Sequence, residues 1–522
     1  MVNTIADNIT RKDRLFMLFL LFIPCLFIGM QFNNDTYWLI NSGRYVIDHG
    51  IPHIEPFTLH QGLHFVMQQW LSATVFALIY NTLGSPFLFV LVALVNGSII
   101  YSVFRLCMRI SEKNFLVSFT IAYAVSIPLN FFMILRPYLF SVFLFSLELN
   151  LLEACLQTKL FYEKHNPALD NDENNTFIRI KACCAIIRKN SITWSLPILS
   201  VFLINLHAAM WPFFFVLLAP YFIDGFRFNI WDVKSQGYPL LPLGIATVLS
   251  FAAGWMNPYG FESMAYLFRS YGNVYVSTII MEMKSPDFKS ILGIFYFIVY
   301  FIPILIYCSN RKSETRLRYA LLIIGTGYMG LSSIRNLSLF IVCGIPFLAC
   351  TLMSVQILKK PSKQSRFPWL RFLLAGILVV WLGLFFCIRS IKSEKEAESF
   401  LPIQAVEYIK THLDKESTRL FTGYATGGYA EFKGLRPFID ARAEVFYKSN
   451  NQKEDIIDDY FNVCLGKMHY RELIKRYNLT HFLVGKTDYP LYVYLPEDPN
   501  FVLLFTDADA NFKVFALKTV FE

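Results

Sequence analysis

The chain is poor in charged residues, since Asp, Glu, Lys and Arg fill 16% of its 522 positions. Soluble domains carry roughly 25%. Internal repeats are absent from the sequence, and no pair among the 10 cysteines has the spacing of a zinc site or a redox motif. These absences exclude a disordered chain, a protein that coats nucleic acid and a small domain held together by disulfides.

Apolar residues are correspondingly abundant: 55% of the chain is hydrophobic, and Phe alone occurs 52 times. A helix needs about 20 mostly apolar residues to cross a bilayer. We therefore predict a polytopic α-helical membrane domain over residues 1–388 with about eleven transmembrane helices. They lie near 15–30, 87–105, 115–133, 138–157, 193–206, 212–224, 239–255, 291–308, 319–333, 337–357 and 372–388.

Two segments need separate interpretation. The first run could be a signal peptide, but no small-x-small cleavage site follows it, so we predict a retained span. Residues 70–80 are apolar but cover only about 16 Å at 1.5 Å per residue. We predict an interfacial or re-entrant helix there, inside a first outer loop over 31–86.

The distribution of basic residues orients these helices. The loops predicted to be cytoplasmic carry 23 Lys and Arg residues, whereas the loops on the opposite face carry six. Because basic residues accumulate on the cytoplasmic side, this ratio predicts a multi-pass protein of the cell membrane with a cytoplasmic N-terminus. An odd number of spans then leaves residues 389–522 outside the cell.

Residues 389–522 carry 18 basic and 20 acidic residues, and their length suits one α/β domain. Amphipathic patterns predict helices over 402–413 and 468–477. Short apolar runs bounded by Gly, Pro and Asn predict strands over 436–439, 480–484, 501–505 and 512–517.

Polar side chains gather in the loops of the predicted outer face, while the spans are almost free of charge. The first loop contributes Asp35, Arg44, His53, Glu55, Gln69 and Trp70, and later loops contribute Arg136, His207, Asn257, Glu282, Lys284 and Arg335. Arginines at an interface hold phosphates or extend to lipid headgroups. Asp35 has two interpretations, a general base or the N-cap of a helix over 36–46.

The order of these loops resembles a known family. The stretch DTYWLINSGRYVIDHGIPHIEPFT and the following QQWLSATVFALIY are similar to the first outer loop of bacterial polytopic proteins of the GT-C glycosyltransferase type. That loop has the patterns D-x-D-x-W-W, G-R, H-G-x-P-x-x-D-P-F-S and H-E-W-L. RPYLFS, NLH, NPYG, E-x-x-S-P, S-I-R-N, GGY and FIDARAEVF also resemble that group's landmarks, in order over nearly the whole chain.

The chain departs from that pattern at several positions. Asn33 replaces the first Asp of D-x-D, Gln68 and Gln69 stand in H-E-W, Glu55 and Thr58 stand in D-P-F-S, and Met283 replaces a Trp. Since hard cations prefer several oxygen ligands, a divalent-metal cofactor is only weakly supported, and no metal ligand is assigned. A non-catalytic descendant of the family is one of the alternatives.

The resemblance implies transfer of a sugar from a polyprenyl-phosphate carrier to a glycan, lipid or protein acceptor at the outer face. It implies Asp35 as the base, with Glu55 or Glu282 assisting. The substrate-binding residues implied are Arg44, His53, Gln69, Trp70, Arg136, His207, Asn257, Lys284, Arg335, Asp440 and Arg442. The partners are then the lipid-linked sugar, its acceptor and membrane lipids, with no nucleic acid.

Two other functions remain open at this point. A lipid-linked saccharide transporter would place ionisable groups inside spans, where Glu148 and Glu153 are the candidates. A non-catalytic assembly protein of the cell envelope would use residues 389–522 to bind a polymer. Asp440 and Arg442 also have a structural interpretation, as a salt-bridged turn that docks this domain on the membrane part.

Overall fold

A computed structural model gives the fold of the chain. It describes residues 11–26, 32–165, 191–226, 229–230, 233–238, 240–270, 281–290, 316–354, 400–507 and 511–520, with scattered positions between 293 and 305. The predicted span 372–388 lies outside the described residues, and most of the predicted span 291–308 does too.

The described part is mostly helical, with a small sheet near the C-terminus. The helices before residue 360 are α1 (Arg11–Phe22), α2 (Asn34–His49), α3 (Trp70–Leu83), α4 (Ser85–Ile110), α5 (Phe115–Leu129), α6 (Tyr138–His165), α7 (Ser191–Leu206), α8 (Trp211–Gly225), α9 (Leu241–Ala253), α10 (Phe261–Met264), α11 (Tyr266–Ser270), α12 (Leu317–Ser332), α13 (Leu337–Cys343) and α14 (Ile345–Ser354). Those after residue 400 are α15 (Ile403–His412), α16 (Gly427–Phe432), α17 (Lys448–Asn451), α18 (Ile456–Cys464), α19 (Tyr470–Tyr477) and α20 (Leu491–Tyr494).

Three described helical segments are long and apolar enough to cross a membrane: Ser85–Ile110, Tyr138–Leu156 and Ala208–Gly225. Five shorter apolar helices accompany them within the described residues: Trp70–Leu83, Phe115–Leu129, Trp194–Leu206, Leu241–Ala253 and Ile334–Cys343. The count of eleven spans and their orientation stay predictions.

Helix α4 presents apolar side chains on two opposite faces. Leu88 and Ile99 are fully buried against neighbouring helices, whereas Val90 and Leu94 are exposed by 49% and 65%. A helix that exposes a large apolar stripe in this way suits a lipid environment, because water would penalise that surface.

The segment predicted to be the first outer loop contains two packed helices. Helices α2 and α3 approach so closely that a Cβ on Gly43 would lie 2.0 Å from the carbonyl oxygen of Ala73. Only glycine permits this approach. Helix α3 has 14 residues and spans about 21 Å at 1.5 Å per residue, which is shorter than the hydrocarbon core.

The C-terminal sheet has four strands, β3 (Leu420–Thr422), β4 (His481–Gly485), β5 (Phe501–Asp507) and β6 (Phe512–Leu517). An earlier two-stranded pair, β1 (Asn229–Ile230) and β2 (Val233–Lys234), is separate from it. The sheet order is β3-β4-β6-β5, parallel between β3 and β4 and antiparallel elsewhere. The helices predicted over 402–413 and 468–477 form as α15 and α19.

One strand prediction is wrong and one strand is missing from the predictions. The segment 436–439 makes a single isolated bridge, between Pro437 and Leu420, because proline cannot donate to a ladder. Strand β3 takes the position beside β4 instead. Its three residues are too short a run to give an alternating pattern.

The C-terminal part docks on helix α2 through backbone and amide contacts. The Asn34 amide nitrogen donates to the Tyr424 carbonyl at 3.1 Å, and its side-chain oxygen accepts from the Tyr429 amide at 2.9 Å. A Cβ on Gly428 would lie 2.7 Å from the Asn34 carbonyl oxygen. The glycine at position 428 of the G-G-Y motif therefore permits the C-terminal part to pack closely against the first outer loop.

Candidate functional site

Three charged residues from separate loops meet at one point. The guanidinium of Arg136, between α5 and α6, forms one ion pair with Asp35 through Nη2 and another with Glu282 through Nη1. Asp35 lies in the first turn of α2, and Glu282 in the short helical turn Met281–Met283. The second oxygen of Asp35 accepts from the indole of Trp38 at 3.3 Å. The structure thus brings together three residues predicted from the sequence.

This arrangement is electrostatically strong because it is partly shielded from water. Burial alone would raise the pKa of Glu282, but the guanidiniums of Arg136 and Arg335 hold it below the ordinary value for a glutamate. Burial likewise opposes the charge on Arg136, and the two carboxylates outweigh it and raise the pKa of Arg136. Glu282 and Arg136 are therefore both held in their charged forms.

Arg335 lies beside this cluster, and its guanidinium contacts an aromatic ring rather than a carboxylate. It lies over the Tyr138 ring at 5.5 Å, and the Tyr138 hydroxyl donates to the Arg335 carbonyl at 3.1 Å. Within the described ranges the Arg335 guanidinium makes no ion pair. A cation held in place by a ring, without a carboxylate partner, is suited to bind an anionic ligand.

Backbone contacts join the two turns that carry these residues. The amide of Ile334 donates to the Lys284 carbonyl at 2.9 Å, and the Ser333 hydroxyl donates to the Glu282 carbonyl at 2.9 Å. Lys284 itself is exposed. The E-x-x-S-P and S-I-R-N motifs are thus two halves of one structural unit that holds Glu282 and Arg335 on the same side.

The C-terminal part adds Tyr424 and Glu444 to this region. Burial raises the pKa of Glu444, while the charges of Arg335 and Arg442 lower it in part. The pKa of Tyr424 is well above its ordinary value, because of burial and the nearby charge of Asp35. We did not predict Tyr424 as part of the site, whereas Glu444 belongs to the FIDARAEVF motif, in which it could meet the acceptor together with Asp440 and Arg442.

Asp35 does not cap α2. The N-cap is Asn33, whose side-chain oxygen accepts from the backbone amide and the hydroxyl of Thr36, both at 3.0 Å. The N-cap interpretation of Asp35 is therefore wrong, and Asp35 is left with Arg136 and Trp38 as its partners. Asn33, at the first position of D-x-D, faces its own helix terminus.

The side chains at this point do not fit a divalent metal. Asp35 and Glu282 both direct an oxygen to the guanidinium, and Asn33 is committed as a cap. Nowhere in the described part of the chain do three or more His, Cys, Asp or Glu side chains form a cluster suited to an ion. Two histidines of the first loop contact different parts of the protein. His60 lies 2.7 Å from the Phe438 carbonyl oxygen, and His64 lies 3.3 Å from the Glu262 carboxylate.

A second charged cluster, centred on Arg442, is fully buried. The Arg442 guanidinium donates to Glu55 at 2.9 Å and to Glu431 at 3.2 Å, and it also pairs with Asp440. Glu55 further accepts from the backbone and hydroxyl of Thr58. None of these charged groups reaches the surface, so the geometry favours the structural interpretation of Asp440 and Arg442.

Glu55 belongs to this cluster rather than to the one around Asp35. It comes from the first outer loop, whereas its partner Arg442 comes from the C-terminal part, so the pair joins the two regions. The two clusters meet at Trp38, which donates to Asp35 and lies 5.8 Å from the Arg442 guanidinium carbon. Glu431, an acceptor for Asn41 at 2.8 Å, carried no sequence signal.

Other predicted residues are spread over neighbouring turns. Arg44 donates to Asn81 at 3.0 Å and stacks on Phe432 at 4.8 Å. Asn257 closes its own turn by donating to the carbonyls of Gly254 and Gly260 at 2.6 and 3.0 Å. These contacts make Arg44 and Asn257 supports of the fold around the site.

The remaining predicted residues line the junction between α3 and α7. The Trp70 indole donates to Asn205 at 2.9 Å, and His207 shares a hydrogen bond of 2.8 Å with Ser141. Gln69 is buried at the start of α3. His53, in contrast, is exposed and packs edge-to-face on Tyr259 at 5.1 Å.

A third charged cluster lies where the end of α8 and the start of α12 meet the middle of α6. Arg318 is one of the 23 basic residues that the sequence assigns to cytoplasmic loops, yet it is 1% exposed and donates to Glu153 at 2.7 Å and to Asp224 at 2.6 Å. The negative charge of Glu153 is thus balanced by the guanidinium of Arg318. Glu148, one turn and a residue earlier, is fully buried, and neither of its oxygens has a hydrogen-bond partner among the described residues.

Comparison with known proteins gives a limited result. No family model and no curated protein matches the chain. Among solved structures, the chain is similar to the archaeal oligosaccharyltransferase AglB from Archaeoglobus fulgidus, in complex with an inhibitory peptide and a dolichol-phosphate. The alignment covers 90% of this chain and 69% of AglB, at 12% identity and a TM-score of 0.49. A likeness at this level carries no argument about activity.

Proposed function

We propose that the chain is an integral-membrane glycosyltransferase that moves a sugar from a polyprenyl-phosphate carrier to an acceptor hydroxyl at the outer face. The observation that supports this most directly is the ion pair between the Asp35 carboxylate and Arg136, with a second cation, Arg335, close enough to Glu282 to lower its pKa. The sequence resemblance to GT-C enzymes points to the same chemistry.

The cationic side suits the leaving group. Arg335 is oriented by the Tyr138 ring and makes no ion pair within the described residues. Its guanidinium can therefore meet phosphate oxygens without losing a carboxylate partner. Fixed donors in a partly dry site stabilise the charge that develops on a departing phosphate.

The carboxylate side suits the acceptor. In the proposed step, an acceptor hydroxyl oxygen attacks the anomeric carbon while the bond from that carbon to the phosphate oxygen breaks. Asp35 accepts the hydroxyl proton, and the polyprenyl phosphate leaves with the bonding electrons. The Trp38 indole and Arg136 hold the Asp35 carboxylate in one orientation, which is what a positioned base requires.

The remaining predicted contacts have secondary roles in this proposal. Glu282 orients Arg136, and exposed Lys284 adds positive charge near the phosphate. Glu55, Asp440 and Arg442 hold the C-terminal part against the first loop rather than touching substrate. The proposal assigns no step to a metal.

The test is transfer by the purified full chain from radiolabelled polyprenyl-phosphate sugars to extracted acceptors. Asp35→Asn is expected to lower the rate by about 10²–10⁴-fold through loss of the base. Arg335→Ala is expected to lower it by about 10²–10³-fold. Arg269→Ala, which removes an outer-face charge paired with Glu262 at 3.7 Å, is the matched control and should retain activity. Unchanged transfer by both site variants would falsify the assignment.

A transporter of lipid-linked saccharides is the second candidate, and Glu148 is the observation that favours it. A carboxyl buried in a span without a partner is the kind of group that proton-coupled carriers use. Substrate accumulation in vesicles that is lost in Glu148→Gln, with no sugar transfer by the wild type, would favour this function over the first.

A further inference from the structure

The two carboxylates of the candidate site come from distant segments and converge on a single cation. Asp35 and Glu282 are 247 positions apart in sequence, yet each directs one oxygen to a different terminal nitrogen of Arg136. Like charges brought this close repel each other unless a cation lies between them. The Arg136 guanidinium meets that requirement from within the chain.

A divalent ion in such a site would contact the two carboxylates and an oxygen of the bound phosphate. Arg136 supplies the contacts with the carboxylates, since two of its nitrogens hold Asp35 and Glu282. The guanidinium is planar and permanently charged, so the contacts have fixed directions.

The D-x-D position supports this view independently. A metal would need the residue at position 33 as a further oxygen ligand, but the Asn33 side chain is turned to the start of α2 as its N-cap. With Asn33 committed and both carboxylates on the guanidinium, the described residues leave an ion too few ligands.

We propose that Arg136 is the resident cation of this site and takes the place that a divalent metal would otherwise fill between Asp35 and Glu282. The inference rests on the proposed function for its meaning, but it concerns cation binding and can be tested without any transfer activity. Arg136 is then a positioning residue for both carboxylates, and the wild-type site has no need of a divalent ion.

The experiment measures Mn²⁺ binding to the full chain in detergent, by electron paramagnetic resonance and by calorimetry. Wild-type protein is expected to show no saturable Mn²⁺ site that depends on Asp35. Arg136→Ala is expected to gain one saturable site, and the double variants with Asp35→Asn or Glu282→Gln are expected to lose it again. Arg269→Ala, which removes one of the two basic partners of the Glu262 carboxylate, is the control and should gain none.

Two results would overturn the inference. One is a wild-type Mn²⁺ site that disappears in Asp35→Asn, a measurement that does not depend on how Arg136 variants fold. The other is a folded Arg136→Ala protein, judged by an unchanged thermal transition of its C-terminal part, that binds no Mn²⁺. If the chain proved to catalyse no transfer, both measurements would still decide the inference, so the two failures are distinguishable.

Discussion

The buried cluster around Arg442 gives the sharpest prediction about stability. Its guanidinium is the only cation that the described contacts place among Glu55, Glu431 and Asp440, and its side chain is 1% exposed. Arg442→Met keeps most of the side-chain volume but leaves these carboxyls buried without a counter-charge. Removing one partner of a buried ion pair costs about 3–5 kcal/mol.

That cost should appear as local opening between the C-terminal part and the first loop. Amide hydrogen exchange over residues 427–447 of the full chain in detergent is expected to accelerate by roughly two to four orders of magnitude. The acceleration should shrink as the pH falls towards 5, because protonated carboxyls need no counter-charge. Arg471→Ala is the control: Arg471 is half-exposed and pairs with Asp498 at 2.9 Å, so exchange should not change.

An acceleration below tenfold in Arg442→Met, or one that grows at low pH, would refute this account of the cluster. The pKa of Glu431 is well above its ordinary value because burial outweighs the attraction of Arg442. Burial therefore favours the protonated form of Glu431.

Three further predictions concern the fold around the site. Gly43→Ala should destabilise the packing of the first outer loop by about 1–3 kcal/mol, since its Cβ would overlap the Ala73 carbonyl, and thermal unfolding in detergent measures this. Asn33→Ala should cost about 1 kcal/mol through loss of the N-cap, whereas Asn33→Asp should keep the cap and gain no Mn²⁺ site in titrations. Burial raises the pKa of Asp488 from 3.8 to about 6, so the folded state binds its proton more tightly than the unfolded state. Its contribution is full below about pH 4 and is lost as the pH rises to about 6, up to about 3 kcal/mol, and Asp488→Asn should remove this pH dependence.

Sequence periodicity and composition predicted a mostly helical chain with long apolar helices, and they predicted five of the ten described helices and strands after residue 400. Helices α15 and α19 and strands β4, β5 and β6 lie where the patterns placed them. The prediction missed strand β3, because a run of three residues carries no periodicity. Whether such a run forms a strand depends on its pairing partner. For segment 436–439 a strand was predicted where none forms, since Pro437 limits the segment to one bridge.

The sequence identified residues of the candidate site, but it could not show which of them belong to the cluster around Arg136 and which to the buried cluster around Arg442. The sequence analysis grouped Asp35, Arg136 and Glu282 in one region, and the structure brings their side chains together. The same reasoning could not separate Glu55 from them, because its partner Arg442 lies 387 positions away and burial is a tertiary property. It also counted Arg318 as a loop charge, although two carboxylates on other helices draw it into the interior.

The central claim, sugar transfer that depends on Asp35, is tested most directly in the source cell. Lipid-linked saccharides and surface glycans are measured by mass spectrometry after deletion of the gene and after complementation. The account predicts that deletion removes a sugar from the surface glycan and accumulates its polyprenyl-phosphate form, and that wild-type protein but not Asp35→Asn restores both. Full restoration by Asp35→Asn, expressed at the wild-type level, would contradict it.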